Sequence, residues 1–457
     1  MNSLLITLGI PDRDWLEWAV ILVKFAFVFI PLALIVVMIT LERKGASLIQ
    51  DRIGPNRSQI PLFGGIRLFG FVHNFSDGIK LFTKETFVPK NAHKFWYLVA
   101  PGIGFLVAIM TPAVIPWFAP LVWWSGTGIA QSAGMILNSD TGILLLFALG
   151  SLSAYGTVLS AWASNSKYSL LGGMRASAMM ISYEVSMGLS LMGIFLLAGS
   201  FNLQDIVAWQ QSHVWGVAVQ PFAFLIFLIS LIAETGRAPF DVAEGESEIV
   251  AGYHLEYSAM RFGLYYMGEY AHIVISSLLV ATVFFGGYSI PFVDTDLLRS
   301  HVDVALSAVL GVIAIGLAGV SAMLWRWRKV YPTLGASDTK ARMKEYAFLQ
   351  TVLGGALLVV VALAGAALLL DPQAVLDVDG LLVFPPWVVF TAALVQLLVL
   401  VAKALFFCWV WIWVRWTLPR FRYDQIMSLG WKILLNIALV NLLVTAVIAK
   451  LLHGDAP

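Results

Sequence analysis

Ten stretches of this chain are apolar over about 20 residues, the length a helix needs to cross the hydrocarbon of a bilayer. They fall at roughly 19–41, 95–116, 141–163, 176–198, 220–235, 269–290, 304–325, 347–370, 387–414 and 432–452. Backbone in lipid must satisfy its own hydrogen bonds, so such stretches form helices. The expected fold is an all-α polytopic membrane protein with about ten transmembrane helices. Only 12% of the residues are charged, against about a quarter in a soluble domain. The fifth stretch is the shortest, because Gly236 and Pro239 follow it directly. The start, MNSLLITLGIPDRDWLEW, lacks a basic segment followed by an apolar core and cleavage site, so no cleaved signal peptide is expected.

The cations orient these spans. With the N-terminus outside, the loops 42–94, 164–175, 236–268, 326–346 and 415–432 face inward and carry 23 of the 28 Lys and Arg. That excess places both termini on the outer side. In the first inner loop Leu62, Ile66, Phe69, Val72, Phe75, Ile79 and Phe82 recur every three or four residues, with Arg67, Asp77, Lys80 and Lys84 off the stripe. This is the pattern of an amphipathic helix lying in the membrane interface. It suits a surface anchor or the wall of a ligand tunnel equally.

Against this apolar background, residues 234–270 hold seven carboxylates: Glu234, Asp241, Glu244, Glu246, Glu248, Glu256 and Glu269. Arg237 and Arg261 are the only cations among them. Ionisable groups in or beside a bilayer cost several kcal/mol each and mark ion or proton pathways. Like charges packed together also raise one another's pKa values. In helical geometry Glu244 shares a face with Glu248, and Asp241 with Glu244. Glu184 stands alone in the fourth span, Glu234 ends the fifth, and Glu269 opens the sixth. A solvated loop is the plain alternative, but acids running from a loop into three spans form a relay better than a surface.

Other features have duller readings. Lys24 and Lys403 lie within spans and can snorkel or pair with neighbours. Cys408 is the single cysteine and reads as a packing residue; one cysteine holds neither an iron–sulfur cluster nor an internal disulfide. His254 and His272 do not supply the paired axial ligands of a haem protein. No phosphate-binding glycine loop and no metal-ligand spacing occurs, so no redox centre and no metal site are expected in this chain.

Four long, irregular blocks carry a family resemblance: ERKGASLIQDRIGPNR at 42–57 with IKLFTKE at 79–85; ASNSKYSLLGGMRASAMMISYEV at 163–185; AETGRAPFDVAEGESEIVAGYHLEYSAM at 233–260 with GEY at 268–270; and PRFRYDQIMSLGWK at 419–432. The chain resembles the membrane component at the quinone site, the H subunit, of NADH:quinone oxidoreductase, respiratory complex I. The resemblance implies that it lines the tunnel by which quinone, the substrate, reaches a partner's iron–sulfur cluster, and that it begins the proton path into the membrane arm. It also implies that FMN and the iron–sulfur clusters reside only in partner subunits. Those partners are the quinone-site and iron–sulfur subunits of the hydrophilic arm and the neighbouring membrane-arm subunits, antiporter-like ones included. By motif position Arg43, Gln50, Arg52, Arg57 and Lys84 belong to the tunnel mouth or arm interface. The resemblance likewise implies that Arg237, Asp241, Glu244, Glu246 and Glu248 form the acidic loop that senses quinone chemistry. Glu184, Glu234, Glu256 and Glu269 are the relay carboxylates, with Tyr183 and Tyr270 as hydroxyl neighbours. Tyr423 and Asp424 sit where the hydrophilic arm docks.

The chain also departs from the family pattern. Eight spans are usual, which makes 291–386 an extra hairpin between a first part, 1–290, and a last part, 387–457. The stretch 58–75 differs from the usual short Gly/Pro/Gln pattern, and Met179 stands where a polar residue is common. The length and the hairpin point to a bacterial plasma membrane. Two other readings stand beside this one. The nearer is the equivalent component of a membrane-bound hydrogenase or ferredoxin-linked oxidoreductase. The more distant is a stand-alone proton-coupled transporter, against which the absence of an internal repeat and the one-sided charge argue.

Overall fold

The computed structural model describes residues 15–50, 54–55, 57–58, 70–125, 128–291, 293–330, 339–368, 376–378 and 381–453. Its helices are α1 (Trp15–Phe27), α2 (Ile30–Ile49), α3 (Val72–Thr83), α4 (Lys94–Met110), α5 (Gly142–Ala163), α6 (Lys167–Ala198) and α7 (Leu203–Ser212). They continue with α8 (Pro221–Glu234), α9 (Ala259–Phe284), α10 (Val302–Val330), α11 (Thr339–Ala367), α12 (Pro386–Thr417) and α13 (Leu435–His453). Among the described residues, nine helical segments are long and apolar enough to cross a membrane. The expected fifth span is α8, whose 14 residues reach about 21 Å at 1.5 Å per residue, short of a hydrocarbon core of roughly 30 Å.

That shortfall shapes the site. The chain that follows α8 is irregular, and irregular backbone near membrane depth is stable only where protein buries it or it lines a cavity. Thr235, Arg237, Pro239, Phe240, Asp241, Val242 and Ala243 are all buried. This first part of the acidic segment is thus folded into the bundle, whereas Glu248 and Val250 stay exposed. α9 stands at the centre, almost wholly buried from Ile273 to Phe284, packed on α2, α4 and α12. α6 packs on α5, α8 and α13.

The expected hairpin is α10 and α11. Each has only 6% of its apolar window buried, and they pack chiefly on each other, with α10 also touching α12. Ser307 of α10 donates to the Ala364 carbonyl of α11, and Arg328 donates to Gln350.

Two short antiparallel hairpins, β1 (Leu121–Ser125) with β2 (Gly128–Ser132) and β3 (Leu376–Val378) with β4 (Leu381–Val383), lie between helices. Both intramembrane lysines are tied to such connections. Lys24 donates to Ser132 Oγ at 2.6 Å. Lys403 of α12 donates to the Phe285, Gly287 and Ser289 carbonyls at 2.7, 2.8 and 2.6 Å, which places a cation at the C-terminal end of α9, where the helix dipole favours one. Cys408 is buried and its thiol faces Ser277 Oγ.

The interfacial helix is present as α3, with Phe75, Ile79 and Phe82 exposed along one face. The rest of the expected stripe, Leu62, Ile66 and Phe69, lies outside the described residues.

Candidate functional site: an acid-lined cavity

The segment after α8 turns at Gly236 and at a cis Ala238–Pro239 bond. It makes one short helix, Glu246–Ile249, and a 3₁₀ turn, Gly252–His254, before α9 begins. Gly252 has a φ of +61°, and a Cβ there would lie 1.8 Å from the Ala243 carbonyl oxygen. Only glycine allows that approach, and it sets Glu244 and Tyr253 side by side. Gly172 of α6 lets the same turn press against the helix, because a Cβ on Gly172 would come within 2.7 Å of the Gly252 Cα.

The helical register expected for the acids is therefore wrong between Asp241 and Glu244, where turns replace helix. The acids diverge instead of sharing a face. Glu244 faces a cavity of about 70 Å³ whose wall also includes Glu234, Glu269, His272, Tyr253 and Tyr265. Asp241 pairs with Arg420, just beyond α12. Glu248 pairs with Arg175 of α6 at 2.6 Å, with more than half of its side chain exposed. The side chain of Glu246 lies outside the described residues. Glu256 is half-buried, and its main-chain carbonyl accepts from the Tyr97 hydroxyl at 2.7 Å.

Arg237 organises the buried part. It is 5% exposed, with Nη2 3.1 Å from Glu269 Oε2 and Nη1 3.4 Å from Glu42 Oε1. Its guanidinium lies over the Tyr270 ring at 4.4 Å. Glu42 of α2 is shared with Arg415 of α12, so the pairs form one chain from α12 through α2 to α9. Burial opposes the charge on Arg237, yet Glu269, Tyr270, Glu42 and Glu244 hold its pKa above the ordinary guanidinium range.

The loop acids are pushed toward the neutral form. Burial raises the pKa of Asp241 to about 6, although Arg420 pulls it down. Burial also raises Glu244 well above the carboxylate range, and Glu269 and Asp241 add to the effect. Glu244 Oε1 is buried without a hydrogen bond. The Tyr253 hydroxyl donates to Glu269 Oε1 at 3.1 Å.

Glu269 does not open its span. α9 begins ten residues earlier, at Ala259, so the carboxylate lies well inside the helix and faces the cavity. Glu184 accepts a hydrogen bond from Ser151 of α5 and is close enough to Glu234 for their charges to interact. A Cβ on Gly150 would meet Glu234 Oε1 at 3.2 Å, so both span acids rest on the same turn of α5. Met179 is buried in the cavity wall. Tyr183 is turned away from the acids and donates to the Ile426 carbonyl at 2.9 Å.

The residues expected at a tunnel mouth sit elsewhere and are not drawn into this cavity. Arg43 pairs with Asp77 of α3 at 2.7 Å. The Arg57 backbone N–H donates to His73 at 3.1 Å. Gln50 ends α2 at the surface, and Lys84 is the exposed C-cap of α3. Arg52 lies outside the described residues. Among the described residues no group of three or more His, Cys, Asp or Glu is placed to hold a metal ion.

Sequence reasoning missed Glu42, Arg175, Arg415 and Arg420, which supply or share the counter-charges. Arg261, the other cation of the segment, donates to the Phe87 carbonyl at 3.4 Å and lies over the Tyr97 ring instead.

Fold and site together define a polytopic membrane protein with a buried, paired-acid cavity. The family model described as NADH dehydrogenase matches residues 21–446. The NADH-quinone oxidoreductase H subunit of Flavobacterium psychrophilum is 35% identical over 406 residues, 89% of this chain and 90% of that one. NADH-quinone oxidoreductase subunit 8 of Rhodothermus marinus is 36% identical over 414 residues, 90% of this chain and 91% of that one. The first of the numbered NADH-quinone oxidoreductase H subunits of Geobacter metallireducens is 37% identical over 437 residues, 95% of this chain and 98% of its own length. The chain belongs to this family of NADH-quinone oxidoreductase membrane subunits.

Proposed function

We propose that this chain lines the quinone tunnel of a proton-pumping NADH:quinone oxidoreductase and carries the first protons of the coupling path. Electrons come from an iron–sulfur cluster in the hydrophilic arm, docked over the inner loops near Tyr423 and Asp424, and reduce a quinone held against α2 and α3. Reduction changes the charge and proton demand at the head group. Asp241 and Glu244 respond, and Glu269, Glu234 and Glu184 pass the change toward neighbouring membrane subunits. The excess of cations on one set of loops supports both termini outside, with a bacterial plasma membrane as the setting.

One observation carries this reading: Glu234, Glu244 and Glu269 meet at a cavity of about 70 Å³, several times the roughly 10–15 Å³ that one water needs. A cavity of that size has room for water, through which acids on its wall can exchange protons, whereas fully packed acids cannot. The corresponding component of a membrane-bound hydrogenase or ferredoxin-linked enzyme would use the same acids, and reconstitution with NADH and quinone separates them. The test is Glu184→Gln, which keeps the size and the bond to Ser151 but removes the titratable charge. The assembled variant is expected to lose most quinone-driven proton uptake in inverted vesicles. Uptake equal to wild type removes Glu184 from the path.

A further inference from the structure

The proton reading leaves a half-buried imidazole on the cavity wall without a role. His272 lies on α9 three residues after Glu269, on the same face of the helix, and lines the same cavity. Its Nε2 is 3.1 Å from Ser153 Oγ of α5, with either atom able to donate. Ser153 shares a turn with Gly150, against which Glu234 packs, and with Ser151, which holds Glu184. One turn of α5 thus touches both span acids and the imidazole. The same cavity is lined by Glu269, held by Arg237 and Tyr253, and by Glu244, whose Oε1 has no hydrogen bond. The ring thus shares one cavity with Glu269 and Glu244 and with Glu234, which ends α8.

We propose that His272 is a proton-carrying residue that links Glu269 and Glu244 to Glu234 and Glu184. The ring accepts a proton at one nitrogen from the loop-side acids and releases one from the other nitrogen toward the span-side acids. Ser153 or cavity water exchanges the tautomer back. No bond other than N–H and O–H changes and no electron moves. A merely structural histidine would satisfy Ser153 and do nothing more, which an uncharged amide can also do. This inference rests on the proton-path reading above.

The measurement is proton uptake into inverted membrane vesicles during NADH:quinone turnover, divided by NADH oxidation with a hydrophilic artificial acceptor, which reports assembled enzyme. His272→Gln keeps a donor near Ser153 but cannot carry a proton; His272→Asn takes its place should it not assemble. Positioned proton carriers contribute about 10²–10⁴-fold, so the ratio is expected to fall by about tenfold or more. His272→Ala is expected to fall equally and to recover with added imidazole but not with pyrazole, a far weaker base of the same shape. A wild-type ratio in His272→Gln overturns the proposal, as does equal recovery with pyrazole, because filling the space would then suffice. Glu234→Gln in the same vesicles separates the two readings. Loss there beside a wild-type ratio in His272→Gln removes only the role of His272. Wild-type uptake in both removes the proton path itself.

Discussion

Replacing Arg237 tests whether the acids act as one charge-coupled unit. The guanidinium meets Glu269 at 3.1 Å and Glu42 at 3.4 Å and is 5% exposed. At an effective dielectric of 20 each contact is worth about 5 kcal/mol before desolvation. Desolvation offsets much of that, and breaking a buried pair typically costs about 3–5 kcal/mol. Glu42 keeps Arg415 as a partner, so the loss in Arg237→Met falls on Glu269 and Glu244. Glu244, already pushed up by burial, loses the cation that lowers it, holds its proton more tightly and stops responding to the quinone. A penalty of about 3 kcal/mol corresponds to roughly 100-fold, so quinone reduction should fall by one to two orders of magnitude. Arg237→Lys keeps the charge but cannot reach both carboxylates with a planar fork, and should lose about tenfold or less. The assay is quinone reductase activity divided by NADH oxidation with a hydrophilic acceptor, in membranes where assembly is confirmed. Equal ratios in wild type and Arg237→Met would refute the coupling of Arg237 to the quinone step.

Other outcomes follow from the same contacts. Because burial lifts Asp241 from 3.8 to about 6, the folded state binds its proton more readily than the unfolded chain. The group's favourable contribution is complete below about pH 4 and is lost as pH rises through 6, at a cost of at most about 3 kcal/mol above pH 7. Asp241→Asn should therefore raise the melting temperature of the assembled enzyme more at pH 8 than at pH 5, Arg420 being free to re-solvate; equal destabilisation at both values would refute it. A cysteine at Gln131, in β2, should react with an impermeant label from outside, and one at Ser166, before α6, only from inside. The reverse pattern would invert the topology.

What could be read before the structure was mainly one-dimensional. Span length and the density of acids are local properties, so the helices, α3 and the gathering of acids after α8 are legible in the sequence. Pairings across the chain were not. Glu42 meets Arg237 across 195 residues and Arg415 across 373, and nothing in the spacing of either motif selects that partner. Helix limits were underestimated because hydropathy windows stop at the first charge, whereas α9 runs past Arg261 and Glu269 without a break. The assumed helix through Asp241 and Glu244 failed for a readable reason: Gly236, Pro239 and Gly245 break it. Gly252 also mattered beyond its turn, since its missing side chain is what brings Ala243 and Glu244 against Tyr253.

The claim at the centre is that the cavity acids carry protons during quinone reduction, and Glu269 is the acid that joins Arg237, Tyr253 and the cavity. The most direct measurement is the number of protons translocated per NADH oxidised by Glu269→Gln enzyme in sealed proteoliposomes, with turnover matched to wild type by limiting NADH. The expected result is a clear fall in that stoichiometry, with NADH oxidation by a hydrophilic acceptor unchanged. An unaltered stoichiometry in the assembled variant would contradict the account.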